Sequence, residues 1–157
     1  MSEHNLGAAL QEAGRLREAD AVYSRVIALG PDDAPSYNNL GAVRVALGDL
    51  EGAHAAFTEA LRRRPDAASV RRNLANACYD LGSGALERGV AAAAVRWLRE
   101  AVATDPGHAR AWNNLGIALA QSGRTDDAAD AFRRALAADP RLADAAANLA
   151  RAEGRAR

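Results

Sequence analysis

Along this chain, small and apolar residues return every three or four positions, stop at a glycine or proline, and start again. In one stretch Tyr37, Leu40, Gly41 and Arg44 share a helical face, with Arg44 its one charged member. Gly48-Asp49 breaks that pattern as a turn. The next stretch places Leu50, Ala53, Phe57, Ala60 and Leu61 on one side and Glu51, Thr58, Arg62 and Arg63 on the other. Pro65-Asp66 ends it, because proline lacks the N–H that would continue a helix. The pattern predicts two amphipathic helices folded back on each other.

The same pair is written several times. Tyr37-Asn38-Asn39-Leu40-Gly41 matches Trp112-Asn113-Asn114-Leu115-Gly116. Ala53, Phe57, Ala60 and Pro65 then correspond to Ala128, Phe132, Ala135 and Pro140, and Leu119 stands where the other copy has Arg44. An earlier copy opens at His4-Asn5-Leu6-Gly7 and runs through Gly14, Ala19, Tyr23 and Val26 to Pro31. Pro31 and Pro65 are 34 residues apart, as are Pro106 and Pro140, whereas Pro65 and Pro106 are 41 apart. A period near 34 built from two helices signals a solenoid. The expected repeats are about 1–33, 34–67, 68–108 and 109–142, closed by a capping helix over 143–154, all in one domain spanning 1–157. Gly41, Ala53 and Ala60 are small enough to let paired helices approach, and Tyr37 and Phe57 are expected to fill the space between repeats.

The third copy carries seven extra residues, and both Leu74-Ala75 and Leu81-Gly82 fit its Leu-Gly position, one heptad apart. Seven residues make close to two helical turns, so the buried face stays nearly in register. This predicts one long helix over about 69–88, then a helix from Ala91 to Ala103 with Ala94, Leu98 and Ala101 inward. Glycine is costly inside a helix, so a break at Gly82-Ser83-Gly84 is the competing reading. At the end, Leu142 to Glu153 reads as one more first-type helix, with Leu149 inward and Arg151, Glu153, Arg155 and Arg157 solvated, as a solenoid cap requires. The first copy begins almost at its Leu-Gly pair. Its first helix is therefore expected to be short, and its front edge is expected either to continue a longer array or to meet another surface.

The order aromatic, Leu-Gly, Gly, Ala, Phe, Ala, Pro at this spacing resembles the tetratricopeptide repeat over nearly the whole chain. The resemblance implies an all-α, right-handed superhelical solenoid of antiparallel helix pairs. First helices would line a concave groove and second helices the convex side.

One polar residue recurs where packing does not demand it. Asn5, Asn39, Asn73, Asn114 and Asn148 each precede the leucine of a Leu-Gly or Leu-Ala pair. Asparagine is a poor helix-interior residue, so the recurrence points to a use. An amide both donates and accepts, and could pair with the backbone of an extended peptide. Equally, it could tie neighbouring helices by bonding carbonyls of the adjacent repeat. Both uses remain open, and the alternative register of the third copy would put Asp80 in place of Asn73. The row is similar to the asparagine ladder of O-linked N-acetylglucosamine transferases, which implies the peptide-gripping use. The same groove is expected to hold His4, Asn38, Arg72, Asn76, Tyr79, Arg110, Asn113, Gln121 and Arg151. Its arginines could pair with acidic ligand groups, since guanidinium meets carboxylate bidentately; a solvated helix face would look the same. Some chaperone-binding relatives clamp a C-terminal carboxylate with lysines, and this chain has none.

Composition narrows the remaining choices. Twenty basic residues, all arginine, balance twenty acidic ones, so no global field draws in nucleic acid or an anionic membrane. The hydrophobic share is 49% but aromatics are only 4%, so alanine must carry much of the packing and stacking platforms for RNA are scarce. The arginine-only basic set and the alanine excess fit codon bias in a GC-rich genome. Cys78 is the single cysteine and is expected to be packed rather than nucleophilic. Trp97 and Trp112 are expected to pack between repeats.

His4, His54 and His108 fall in different elements, with no His-x-x-x-His or Cys-x-x-Cys, so neither a metal nor a cofactor is expected. No Gly-x-Ser-x-Gly elbow or phosphate loop is present. The first residues lack a basic stretch and apolar run, and no segment reaches the roughly 20 apolar residues of a membrane helix, which predicts a cytoplasmic location. The expectation is a non-catalytic scaffold binding a peptide or protein segment in its groove. The alternatives are a substrate-recruiting repeat region of a larger enzyme such as a glycosyltransferase, or a unit that self-assembles through its N-terminal edge.

Overall fold

The computed structural model describes residues 3–155. Among the described residues there are nine α-helices and no strand: α1 Glu3–Glu12, α2 Leu16–Leu29, α3 Ala34–Leu47, α4 Leu50–Arg63, α5 Ala68–Glu87, α6 Ala91–Thr104, α7 Ala109–Gln121, α8 Thr125–Ala138 and α9 Ala143–Arg155. The architecture is an all-α, tetratricopeptide-like solenoid of helix pairs. Of the expected cap, Arg157 lies outside the described residues. The chain forms two compact units, divided between Ala77 and Cys78 inside α5.

In the first unit α1 packs on α2, α2 on α3 and α3 on α4, and α1 lies beside α3. In the second, α6 packs on α7, α7 on α8 and α8 on α9, and α7 lies beside α9. The turns follow from local chemistry. Gly48 takes φ +79° to end α3, a left-handed conformation that glycine adopts without a Cβ penalty. Asp49 then caps α4 by accepting the Gly52 N–H at 2.9 Å.

One contact is repeated in every pair. A Cβ added to Gly7 would lie 2.7 Å from the Tyr23 ring, and one on Gly41 would lie 2.5 Å from the Phe57 ring. Phe132 covers Gly116 in the same way. In α5 the matching residue is Gly82, where a Cβ would lie 2.5 Å from Leu98 Cγ. Tyr23, Phe57 and Leu98 are among the largest fully buried side chains. Phe57 therefore fills the space inside its own pair, while Tyr37 stays half-buried under the Arg63 guanidinium, 4.1 Å from its ring centroid. Ala53, Ala60, Ala94, Ala101, Ala128 and Ala135 are fully buried, so close helix approach replaces bulky side chains.

Helix α5 is continuous through Gly82-Ser83-Gly84. Its C-terminal part pairs with α6 through Gly82, whereas Leu74 and Ala75 are buried in the N-terminal part belonging to the first unit. The extra heptad gives α5 two Leu-small pairs, one for each unit. Helix α1, with 10 residues, is shorter than the 14 of α3.

Candidate functional site

The asparagines at the recurring position sit on α1, α3, α5, α7 and α9, and four of them make the same kind of bond. Asn39 Nδ2 lies 3.3 Å from His4 Nε2, and Asn73 Nδ2 donates to Asn38 Oδ1 at 3.1 Å. Asn114 Nδ2 donates to Ser83 Oγ at 3.0 Å, and Asn148 Nδ2 donates to Asn113 Oδ1 at 3.0 Å. Each reaches back to the previous first-type helix. The acceptors are side chains, where sequence reasoning had considered backbone carbonyls. Three of these four bonds reach 35 residues back. Asn114 breaks the rule because Tyr79 occupies that position, and its bond goes one turn further along α5 to Ser83.

Asn39 Nδ2 has two partners, His4 and Tyr23, whereas Nδ2 of Asn73, Asn114 and Asn148 each commits one of its two hydrogens to its bond. A carbonyl oxygen has two lone pairs, so an acceptor remains. Asn114 Oδ1 takes a long bond of 3.4 Å from Asn113 Nδ2. All four residues are half-buried. Asn5 is exposed on α1.

The other expected groove residues divide by unit. In the first, Asn38 serves as an acceptor for Asn73, and Arg72 and Asn76 are exposed on α5. His4 is held on three sides: Nδ1 lies 3.2 Å from Ser36 Oγ, Nε2 faces Asn39, and the Tyr23 ring meets it edge-on at 5.8 Å. In the second unit, Tyr79 stacks on the His108 ring at 5.0 Å, and the Arg110 guanidinium lies 5.6 Å from the Tyr79 ring centroid. Asn113 is buried and Gln121 is exposed. Gln121, Asn148 and Arg151 line a cleft of about 290 Å³ between α7 and α9, over a floor that includes Ile117, Ala120 and Ala152.

Sequence reasoning missed Ser36, Ser83 and the cap role of His108. Ser36 is fully buried and donates to Asp33, the residue preceding α3. His108 Nδ1 accepts the Ala111 N–H at 3.2 Å and caps α7. Setting Asp33 above His108 in the aligned copies would have exposed the cap position. Burial lowers the His108 imidazole below its ordinary value, against a pull upward from Asp105. Burial also pushes the Cys78 thiol up to about 12, which removes thiolate character at neutral pH.

One tetratricopeptide-repeat model matches residues 38–96 and 79–143, and a second matches residues 1–66. The chain belongs to the tetratricopeptide-repeat family. Its fold is similar to that of MamA in two crystal structures: one aligns with TM-score 0.69 at 20% identity over 98% of this chain and 81% of that one. The other aligns with TM-score 0.66 at 20% identity, over 96% and 84%. MamA from Desulfovibrio magneticus aligns with TM-score 0.63 at 23% identity, over 98% of this chain and 82% of that one. No curated protein matches the chain at significance.

Membership in the tetratricopeptide-repeat family supports a protein-interaction scaffold, and such repeats are typically non-catalytic. No helix among the described residues is long and apolar enough to cross a membrane.

Proposed function

We propose that each unit of this tetratricopeptide-repeat protein binds an extended protein segment along the faces of its own first-type helices, with the asparagine amides of that unit meeting the segment's backbone. The observation that carries this reading is the shared polarity of the amides. Nδ2 of Asn39, Asn73, Asn114 and Asn148 is turned to the neighbouring helix, which leaves acceptors for backbone N–H groups. Inter-helix tying and peptide gripping then use opposite ends of one group. In the second unit the cleft between α7 and α9 adds an apolar floor for one side chain, and Arg151 can pair with an acidic group beside it.

The test starts from a random peptide library displayed against the folded protein. Selected peptides are then titrated against wild type and the Asn39→Ala and Asn148→Ala variants, each checked for helicity. Loss of one neutral hydrogen bond of about 1 kcal/mol predicts roughly fivefold weaker binding per variant. Peptides that bind both folded variants as tightly as wild type would move the site away from the amides.

A further inference from the structure

The amide of Asn39 differs from the others in what it bonds. Asn73 and Asn148 donate to the asparagines Asn38 and Asn113, and Asn114 donates to Ser83; at the corresponding place Asn39 meets His4. The proton positions around His4 follow from one group that can only accept. The Asp33 carboxylate takes the Ser36 hydroxyl proton. With that proton committed, Ser36 Oγ is an acceptor towards His4 Nδ1 at 3.2 Å, so Nδ1 carries hydrogen. A neutral imidazole protonated at Nδ1 has a lone pair at Nε2, and Asn39 Nδ2 donates to it at 3.3 Å. Tyr23 OH accepts from the same Nδ2 at 3.4 Å. This chain of four residues determines that Asn39 keeps its donor inward and Oδ1 outward.

We propose that His4 is the residue that sets which end of the Asn39 amide a bound segment meets, and that protonation of His4 reverses it. Imidazolium donates from both nitrogens, so Nε2 can then be met only by Oδ1 of Asn39. The amide must turn over, presenting Nδ2 where an acceptor stood. The partner this favours changes in kind, from a backbone N–H to a backbone carbonyl. The charged and titratable groups near His4 are its chain neighbour Glu3, paired with Arg25 of α2 at 2.7 Å, Tyr23 of α2, and Asp33, just before α3, acting through Ser36. The inference rests on the peptide-face reading above, since only a ligand at Asn39 would feel the reversal.

The experiment has two readouts on the full chain. Nitrogen-15 NMR of the histidine rings and of the asparagine side-chain amides is recorded from about pH 8 to about pH 5, spanning the range where histidines titrate. The expected result is an Nδ1–H tautomer for His4 at the upper end, with the Asn39 amide signals moving together with the His4 titration. The His4→Asn variant, which places there the residue type found at 38 and 113, should keep its helicity and leave the Asn39 signals flat. A His4 ring protonated at Nε2 in the neutral form, or an Asn39 amide that ignores the His4 titration, overturns the proposal without touching the groove reading. The second readout is the affinity of a selected peptide that depends on Asn39. It should change by about fivefold or more across the same range in wild type and not in His4→Asn. Affinity equally pH-dependent in both proteins, or in neither, also overturns it. A peptide indifferent to both Asn39→Ala and Asn148→Ala would instead refute the groove reading.

Discussion

Gly82 lies directly beneath Leu98, so close that a methyl group on the glycine would sit 2.5 Å from Leu98 Cγ. Leu98 is fully buried, and the atom that the methyl would meet is its branch carbon rather than the tip of a flexible chain. Replacing Gly82 by alanine should overpack this contact at a cost of about 1–3 kcal/mol, more than the up to about 1 kcal/mol gained in helix propensity. Gly84, two residues on in the same helix, would place a methyl only against the flexible Arg88 guanidinium at 3.2 Å. Gly84→Ala should therefore stabilise by up to about 1 kcal/mol. Urea midpoints followed by circular dichroism should fall for the first variant and rise for the second. Equal shifts would show that α5 and α6 are not in this register.

His108 caps α7 with a lone pair, and that lone pair disappears when the ring takes a proton. Burial, the leading cause, holds its folded-state value below the unfolded one. The unfolded chain therefore binds the proton first. Stability from this group is complete above the unfolded value of about 6.5 and is lost as pH falls through the lower folded value. The loss should not exceed about 1 kcal/mol, the usual worth of a helix cap. Thermal unfolding of wild type and His108→Asn checks this, since asparagine keeps a capping oxygen but does not titrate. The wild type should lose more stability than the variant between neutral and mildly acid pH. Parallel losses would rule out the cap as the titrating element.

Cys78 is fully buried, and its thiol is pushed up to about 12 by that burial, with Glu100 adding to the effect. A maleimide or disulfide reagent at about pH 8 should leave the folded protein unmodified for hours and react within minutes in denaturant, because the thiolate is the reacting species. Rapid labelling of the folded chain would mean that α5 opens readily at this residue.

The helices were legible because their causes are local. Apolar residues at three-to-four spacing, Gly48 in a left-handed cap and Pro65 after α4 act within a few residues of themselves. The extended α5 was legible for the same reason: a heptad preserves the buried face whichever copy it belongs to. The recurrence of Asn39, Asn73, Asn114 and Asn148 was visible as a pattern, but its meaning was not. Ser36 is a short polar residue that looks exposed in sequence and is fully buried in the fold. Ser83 gave no signal, because its role arises only where Asn114 reaches α5 one turn past the aligned position held by Tyr79.

By itself the sequence determined the helix pairs, their period and their family, since propensity, turn chemistry and glycine-to-aromatic spacing are all written within a single repeat. Tertiary structure decided which Leu-small pair of α5 meets α6, because Leu74-Ala75 and Leu81-Gly82 are equivalent until Leu98 is laid against one of them. It also decided which end of each amide faces inward. An amide is nearly symmetric in shape and opposite in polarity at its two ends, so only the partner 31 or 35 residues back can orient it.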